Sequence, residues 1–318
     1  MSAALGRHRQ RGTALLLAMI ILTLVSTVAA GMVWYQQRAI EVEAAERART
    51  QSAWILNGAL DWARLILRED ARTGGSDHLG EPWAVPLAEA RLSTFLAADR
   101  NAGADDGPEA FLSGQIVDLQ ARYNLHNLVG DQAKPVPSEI AAFQRLCDLA
   151  GAPSGTAERI AAALAGAWRD DDPAAGLSPN KLEHLRWHGI DPDTLARLAP
   201  FAVLLPMPTP VNLNTAPREV IAAVIDGLDL GSAERLLQLR QRQPFRNLDD
   251  VKRELPPATV VDERRAGVSS RYFEVTGRLR LEDRVLIERS VVERRDAARG
   301  GDIVAILRER RSALDGTR

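Results

Sequence analysis

The sequence has 318 residues, of which 46% are hydrophobic and 26% are charged. This composition is ordinary for a globular protein and excludes a chain that is disordered along most of its length. The formal net charge is −2, and residues 1–12 contribute three arginines and no acid, so the rest of the chain carries about −5. An excess of negative charge argues against general nucleic-acid binding, because phosphate binding needs an excess of lysine and arginine. With one cysteine, Cys147, no disulfide can form within the chain.

An uncharged stretch lies close to the N-terminus. Residues 13–33 contain no charged side chain, and as a helix they would span about 31 Å, the thickness of the hydrocarbon core of a bilayer. Arg7, Arg9 and Arg11 precede this stretch, whereas the flank that follows it is aromatic and only weakly basic. By the positive-inside rule we expect the N-terminus in the cytoplasm and the body of the chain across the membrane.

Three kinds of N-terminal segment fit this pattern. A secretory signal peptide would be cut after small residues, and Val28 and Ala30 offer such a site. A plain signal anchor would stay uncut, and a type IV prepilin-like leader would be cut after Gly12. Residues 38–70 lack proline and repeat apolar side chains at helical spacing. We therefore expect residues 13–70 to form one helix of about 87 Å, which favours the pilin-like interpretation.

The body of the chain combines strands with a helical middle. Alternating apolar and polar residues predict strands at residues 111–119, 273–281, 285–293 and 303–307. Helical patterns separated by prolines occur at residues 138–150, 157–168, 179–188 and 191–199. The predicted fold class is α+β: a long pilin-like N-terminal helix packed on a small antiparallel sheet, with a large inserted all-α region of two units.

The second helical unit resembles the helix-hairpin-helix family. It begins at residues 210–217 and turns at the glycine-rich residues 227–231. In membrane-anchored competence proteins such modules bind DNA, with hairpin amides and nearby cations holding phosphate. Here Asp226 and Asp229 lie at the hairpin, and residues 212–255 contain seven basic and seven acidic residues. A membrane-anchored DNA-binding protein is therefore the alternative function, and the less favoured one.

Five stretches of the sequence, taken in order, resemble the family of type II secretion system protein K. They are the Arg11-Gly12 junction and residues 77–86, 118–128, 211–217 and 270–273. No single stretch is decisive, but five in the right order are a specific match. The resemblance covers nearly the whole chain.

The resemblance implies a minor pseudopilin, a subunit that helps initiate and cap the periplasmic pseudopilus for export of folded proteins across the outer membrane. It implies cleavage by prepilin peptidase between Gly12 and Thr13, N-methylation of Thr13, and a single span of the bacterial inner membrane with a cytoplasmic N-terminus and a periplasmic body. The implied partners are minor pseudopilins I and J, the major pseudopilin, prepilin peptidase and inner-membrane lipid, without nucleic acid. Leu17 stands where most pilin-like proteins have a glutamate, a departure that this family shares.

The resemblance also implies a domain organisation. Two SAM-like helical units are inserted between the two parts of a pilin-like domain. The expected segments are a leader (1–12), the transmembrane part of the helix (13–33), the first part of the pseudopilin domain (34–129), the first SAM-like unit (130–209), the second, helix-hairpin-helix-like unit (210–268) and the C-terminal strands (269–318).

Few residues offer chemistry. The sequence has no GxSxG, GxGxxG, P-loop or HExxH motif, so we assign no catalytic residue and predict that the chain is not an enzyme. Asp170, Asp171 and Asp172 are a candidate calcium site, because hard cations bind clustered carboxylates and the resemblance implies calcium nearby. The loop after them is short, and a solvated charged loop is the more ordinary interpretation. His184 and His188, four residues apart, would share one helix face, either as a metal pair or as packed or exposed side chains.

Overall fold

The computed structural model describes residues 10–92, 110–169, 177–281, 284–295 and 301–314. The chain divides into two compact units, Met1–Asn57 and Gly58–Arg318. One helix, α1 (Gln10–Thr73), contributes residues to both units. The prediction of one continuous helix over residues 13–70 is therefore confirmed.

Helix α1 has 64 residues and contains no proline. Among the described residues it is the one helix that is long and apolar enough to cross a membrane. The side chains of residues 13–33 are all exposed, as a surface that faces lipid requires. The helix ends at Thr73, because Gly74 adopts a φ of +68°, the left-handed conformation in which glycine commonly terminates helices.

The strands of the described residues form one main sheet and three short pairs. They are β1 (Leu87–Arg91), β2 (Ala110–Asp118), β3 (Tyr123–Asn124), β4 (Val129–Gly130), β5 (Lys134–Pro135), β6 (Ala202–Val203), β7 (Val211–Asn212), β8 (Ala266–Gly267), β9 (Tyr272–Leu281), β10 (Arg284–Arg294) and β11 (Ile303–Leu314). The main sheet is antiparallel, with the order β1-β2-β9-β10-β11. The predicted strands at the end of the chain are confirmed as an antiparallel part of this sheet, although β11 continues well past residue 307, where the predicted strand ended.

One face of the main sheet packs against the last turns of α1. Leu60, Ala63 and Leu67 share an apolar cluster with Trp83 and with Phe273 of β9. The Trp83 and Phe273 rings meet edge to face, with their centroids 5.2 Å apart. Full burial of each large side chain contributes about 1.5–3 kcal/mol, so this cluster fixes the helix on the sheet.

The helical region lies between β5 and β8 in the sequence. Its helices are α2 (Pro137–Leu149), α3 (Thr156–Ala167), α4 (Pro192–Leu198), α5 (Arg218–Val224), α6 (Leu230–Arg242) and α7 (Leu248–Glu254). One apolar core contains residues of both predicted helical units, including the fully buried Leu146 and Val220. The predicted helices over 138–150 and 157–168 are confirmed to within one residue.

Short 3-10 helices connect several of these elements. They lie at Pro82–Ala84, Leu119–Ala121, Leu125–Leu128, Asp131–Ala133 and Leu182–His188. The last of them replaces the α-helix predicted over 179–188, which is therefore wrong in type and too long. Gly189 follows it with a φ of +77° and ends it after seven residues.

Strand β1 forms although its residues favour helices. Leu87 and Ala90 pair with Gly114 and Leu112 of β2, so the ladder overrides the local preference. Glu89, between them, binds both Arg278 and Arg280 of β9. These arginines, which lie far along the sequence, stabilise a strand that no local pattern indicates.

Candidate functional site

Four of the five stretches that carry the family resemblance meet at one buried junction between the main sheet and the helical region. Each supplies one residue to its centre: Asp77, Asp118, Asn212 and Ser270, all buried. The side-chain amide of Asn212 lies 3.0 Å from three oxygens, namely the Asp77 carbonyl, Asp118 Oδ2 and Ser270 Oγ. Sequence reasoning singled out these stretches but assigned no role to their side chains.

Asp118 is the acceptor on which this junction converges. It ends β2 and begins a 3-10 helix, and its Oδ1 accepts a hydrogen bond from the Gln120 backbone N–H at 2.8 Å. Its Oδ2 accepts from the hydroxyls of Thr215 at 2.5 Å and Ser270 at 2.6 Å, in addition to the Asn212 amide. Both carboxylate oxygens therefore have specific partners in a site closed to water.

The pKa of Asp118 is raised from 3.8 to about 6. Burial is the largest cause, because an ionised carboxylate loses its hydration there. The hydrogen bonds from Ser270, Thr215 and the Gln120 N–H oppose this effect, since they favour the ionised form. The junction therefore contains a carboxyl group that titrates close to neutral pH.

An arginine ties the end of α1 to the same junction. Arg294, the last residue of β10, donates to Asp77 Oδ1 at 2.8 Å and to Asp70 Oδ2 at 2.7 Å. Asp77 Oδ2 also accepts the backbone N–H of Ser270 at 2.6 Å. Burial raises the pKa of both aspartates, and Arg294 opposes that rise. Sequence reasoning missed Arg294 and Asp70, since neither belongs to a stretch that resembles the family.

A second set of hydrogen bonds fixes residues 205–209, the segment that connects the first predicted helical unit to the second. The Asn124 side chain donates to the Met207 carbonyl at 2.7 Å and accepts from the Leu205 N–H at 3.1 Å. The Asn127 side chain donates to the Thr209 carbonyl at 2.9 Å and accepts from the Thr209 N–H at 3.0 Å. The two asparagines thus act as fixed backbone partners for residues 205–209.

The acidic residues at the junction are already occupied by the protein itself. Asp70, Asp77 and Glu81 are the one group of three among the described residues whose ligand atoms lie close enough for a metal ion. The guanidinium of Arg294 binds both aspartates, so its single positive charge offsets one of their two negative charges. Glu81 Oε2 accepts from the His78 N–H at 2.8 Å and from Trp83 Nε1 at 2.7 Å. This geometry indicates a structural network in which protein donors already bind all three carboxylates.

The structure does not bring the predicted histidine pair together as a metal site. Asp170, Asp171 and Asp172 lie outside the described residues. His184 and His188 belong to a 3-10 helix, where residues four apart point about 120° away from each other, so the expectation of a shared face is wrong. The His184 ring stacks on Trp187 with centroids 4.0 Å apart, and His188 Nε2 lies 3.0 Å from the Leu177 carbonyl.

The hairpin of the second helical unit is not arranged to hold phosphate. Asp229 is the N-cap of α6, and its carboxylate accepts the Ser232 N–H at 2.9 Å. Asp226 binds Arg145 and Arg265, so it draws cations away from the hairpin surface. Carboxylates therefore occupy the positions where a phosphate would need free amides and free cations.

The predicted processing site lies within α1. The backbone of Gly12 and Thr13 is helical, two residues and three residues after the first residue of the helix, Gln10. Leu17, which replaces the glutamate of most pilin-like proteins, is exposed on the apolar surface of the same helix. Cleavage and methylation at this position stay predictions.

Comparison with known proteins gives a consistent result. Residues 211–269 match the family model of type II secretion system (T2SS), protein K, and residues 121–207 match a second model with that description. Type II secretion system protein K of Pseudomonas aeruginosa is 30% identical, over 91% of this chain and 90% of that protein. The corresponding protein of Pectobacterium carotovorum subsp. carotovorum is 27% identical, over 90% of this chain and 93% of that protein.

A solved structure has the same fold. It is the crystal structure of the GspK-GspI-GspJ complex from the type 2 secretion system of enterotoxigenic Escherichia coli. The match has a TM-score of 0.62 and 19% identity, and it covers 84% of this chain and 98% of that one. These comparisons give no support to the alternative of a DNA-binding protein, and the hairpin geometry agrees. The chain belongs to the family of type II secretion system protein K, the minor pseudopilins of type II protein secretion.

Proposed function

We propose that this chain is processed at Gly12, assembles with minor pseudopilins I and J at the tip of a pseudopilus, and helps to initiate and cap it. In this proposal α1 is anchored in the bacterial inner membrane and the body lies in the periplasm. The major pseudopilin and prepilin peptidase are its further partners, and the chain has no catalytic activity of its own. The supporting observation is α1, a helix with an exposed apolar first part and a last part that packs on the sheet.

An uncovered apolar surface on the last part of α1 supports assembly with other subunits. Leu60, Ala63 and Leu67 are buried against the sheet, whereas Trp62 and Leu65 are each 54% exposed. Side chains three apart lie on the same helix face, so these two residues form one patch. Exposed aromatic and aliphatic residues that adjoin on a helix are typical of a contact with another chain.

Processing is tested by mass spectrometry of the mature protein purified from its host. We expect an N-terminus at N-methylated Thr13, and a Gly12→Leu variant should keep its full length. Gly31→Leu, a change of the same size within the same helix, is the control and should be processed normally. An N-terminus at Met1, or one after Ala30, would contradict the proposed processing.

Assembly is tested by co-purification of the full chain with minor pseudopilins I and J. We expect Trp62→Ala combined with Leu65→Ala to abolish co-purification, because the patch would lose most of its apolar contact area. Glu69→Ala combined with Arg72→Ala removes an exposed ion pair from the same helix and is the control. If the unaltered chain fails to co-purify with I and J, tip assembly is wrong.

Calcium binding by Asp170, Asp171 and Asp172 stays a prediction. Titration of the full chain with Ca²⁺ in the presence of excess Mg²⁺ distinguishes a calcium site from a solvated acidic loop. Saturable heat release that is lost when the three aspartates are replaced by asparagine supports the site. If the unaltered chain and the variant give the same isotherm, the prediction of a calcium site at these aspartates is wrong.

A further inference from the structure

A groove lies between the C-terminal strands and the first half of the helical region, away from the polar junction. Its volume is about 470 Å³. Residues of β10 and β11 form one wall, and residues 180–186 form the other. Lys181 and Glu309 form an ion pair between these walls.

The floor of the groove is apolar. Leu205 belongs to a small buried cluster, and Val291 and Ile306 pack against it. Ile306 is the extra residue of a bulge, since Val291 pairs with Leu307 while Val292 pairs with Ala305. A bulge redirects a side chain, and this one adds an aliphatic group to the groove floor. Such a floor favours a ligand with apolar side chains over a simple inorganic anion.

The groove lining carries more positive than negative charge: five lysine and arginine side chains line it, against Glu183, Glu274 and Glu309. Arg186, Arg289 and Arg311 are exposed at the groove, and within the described parts of the chain their guanidinium groups make no hydrogen bond or ion pair. This is unusual in a chain of net charge −2, in which most arginines of the sheet bind carboxylates, as Arg308 and Arg310 bind Glu288. Free guanidinium groups at a groove with an apolar floor favour carboxylate ligands.

The wall formed by β11 also offers an open backbone edge. In the described part of the main sheet, β11 is an outermost strand and runs for 12 residues from Ile303 to Leu314. An edge strand presents N–H and C=O groups that an extended peptide can pair with. Side chains of a peptide strand added there would alternate between the groove floor and solvent.

We propose that this groove binds an extended acidic peptide segment of a partner protein. The segment would pair with the edge of β11, place apolar side chains over Ile306 of β11, and bring carboxylates to Arg311 of β11 and Arg289 of the neighbouring strand β10. This proposal does not depend on assembly with pseudopilins I and J, which concerns the surface of α1.

The test is fluorescence anisotropy with the full chain in detergent micelles. The probe is a short labelled peptide with the repeat Val-Ser-Glu-Ser, which places valine and glutamate on the same face of a strand, and its counterpart has glutamine in place of glutamate. We expect the acidic peptide to bind at least about tenfold more tightly than the glutamine peptide, and its affinity to fall as salt is raised. Sodium pyrophosphate serves as a competitor without a backbone. If pyrophosphate displaces the peptide at the peptide's own concentration, the groove is a general anion site and the proposal fails.

Two variants with equal changes of charge locate the binding site. Arg289→Glu combined with Arg311→Glu should weaken the acidic peptide about tenfold or more, because like charges would then face its carboxylates. Arg242→Glu combined with Arg246→Glu, at exposed positions of the second helical half, should leave binding unchanged. Equal affinity of the two variants would overturn the proposal. Circular dichroism of each variant shows that it is folded before it is tested.

Amide hydrogen exchange distinguishes backbone pairing from charge attraction, because charge attraction alone would not slow exchange at the amides of β11. Pairing along the edge of β11 should slow exchange at alternate amides of residues 304–312 when the acidic peptide is added. Binding without any protection of β11 would contradict the predicted mode. Either failure leaves the processing and assembly tests of α1 untouched, so the two proposals are judged separately.

Discussion

Replacement of Asp118 by asparagine tests whether the polar junction stabilises the fold. The two carboxylate oxygens accept from donors on different segments: Gln120 at Oδ1, and Thr215, Asn212 and Ser270 at Oδ2. An amide has only one oxygen, so in either orientation its NH₂ group faces a donor. One buried donor is left unsatisfied, which costs about 1–3 kcal/mol of unfolding free energy.

The change of this stability loss with pH can be calculated from the pKa of Asp118. The pKa of Asp118 rises from 3.8 to about 6 on folding, so the folded protein holds the proton more tightly. The contribution of this titration to stability is fully present below pH 3.8 and is lost as pH rises through about 6. At about 1.4 kcal/mol per pKa unit the whole loss is about 3 kcal/mol, of which about 2 kcal/mol falls between pH 4.5 and 7.5.

The assay is urea unfolding of the full chain in detergent micelles, followed by tryptophan fluorescence at pH 4.5 and 7.5. The destabilisation caused by Asp118→Asn should be about 2 kcal/mol larger at pH 4.5, because only the unaltered chain gains from the proton. Asp131→Asn, at an exposed position, controls for the general loss of an aspartate. Equal destabilisation at both pH values would show that Asp118 titrates normally, and the account of its burial would be refuted.

Two further pairs of substitutions test other parts of the fold by the same unfolding measurement. Arg294→Met leaves the buried Asp77 and the partly buried Asp70 without their cation and should cost about 3–5 kcal/mol. Arg295→Met removes an exposed cation from Glu293, which keeps Arg271 and Tyr272 as partners, and should cost less than about 1 kcal/mol. Similar losses would contradict the role of Arg294. Gly227→Ala should destabilise by about 1 kcal/mol or more, because its φ is +79° and the new Cβ would lie 3.2 Å from a backbone oxygen. Gly58→Ala, at an exposed position within α1 with no neighbour in contact range, should instead stabilise by about 0.5–1 kcal/mol. If Gly58→Ala proves more destabilising than Gly227→Ala, backbone conformation does not decide these effects.

The parts of the fold that could be predicted from sequence are those with local signals. Helix α1 is predictable because a proline-free, periodic run specifies its own hydrogen bonds. Helices α2 and α3 follow from apolar periodicity between prolines, and β9 from strict alternation. Strand β1 was missed, because its stability comes from pairing with β2 and from arginines about 190 residues away.

Only some residues of the junction could be singled out from the sequence. Asp118, Asn212 and Ser270 lie in stretches that resemble the family, so their positions could be singled out without their contacts. Arg294 could not, since an arginine at the end of an alternating strand is ordinarily exposed. The burial of Arg294 depends on Asp70 and Asp77, which accept its hydrogen bonds and lie near the start of the same compact unit. The pairing of residues separated by more than 200 positions has no local sequence signal.

The junction gives a physical reason why the helical region stays aligned with the last turns of α1, residues 58–73. A continuous series of buried polar contacts runs from Asp70 through Arg294 to Asp77, and from Asp77 through Ser270 to Asp118 and Asn212. An apolar contact could slide at little cost, but here a shift of one hydrogen-bond length leaves several buried groups unpaired, at about 1–3 kcal/mol each. The helical region therefore cannot swing on the sheet as a hinged domain does without breaking this network. A subunit that other chains hold by residues 58–73 of α1 would consequently present its helical region, and the groove beside it, in one fixed orientation.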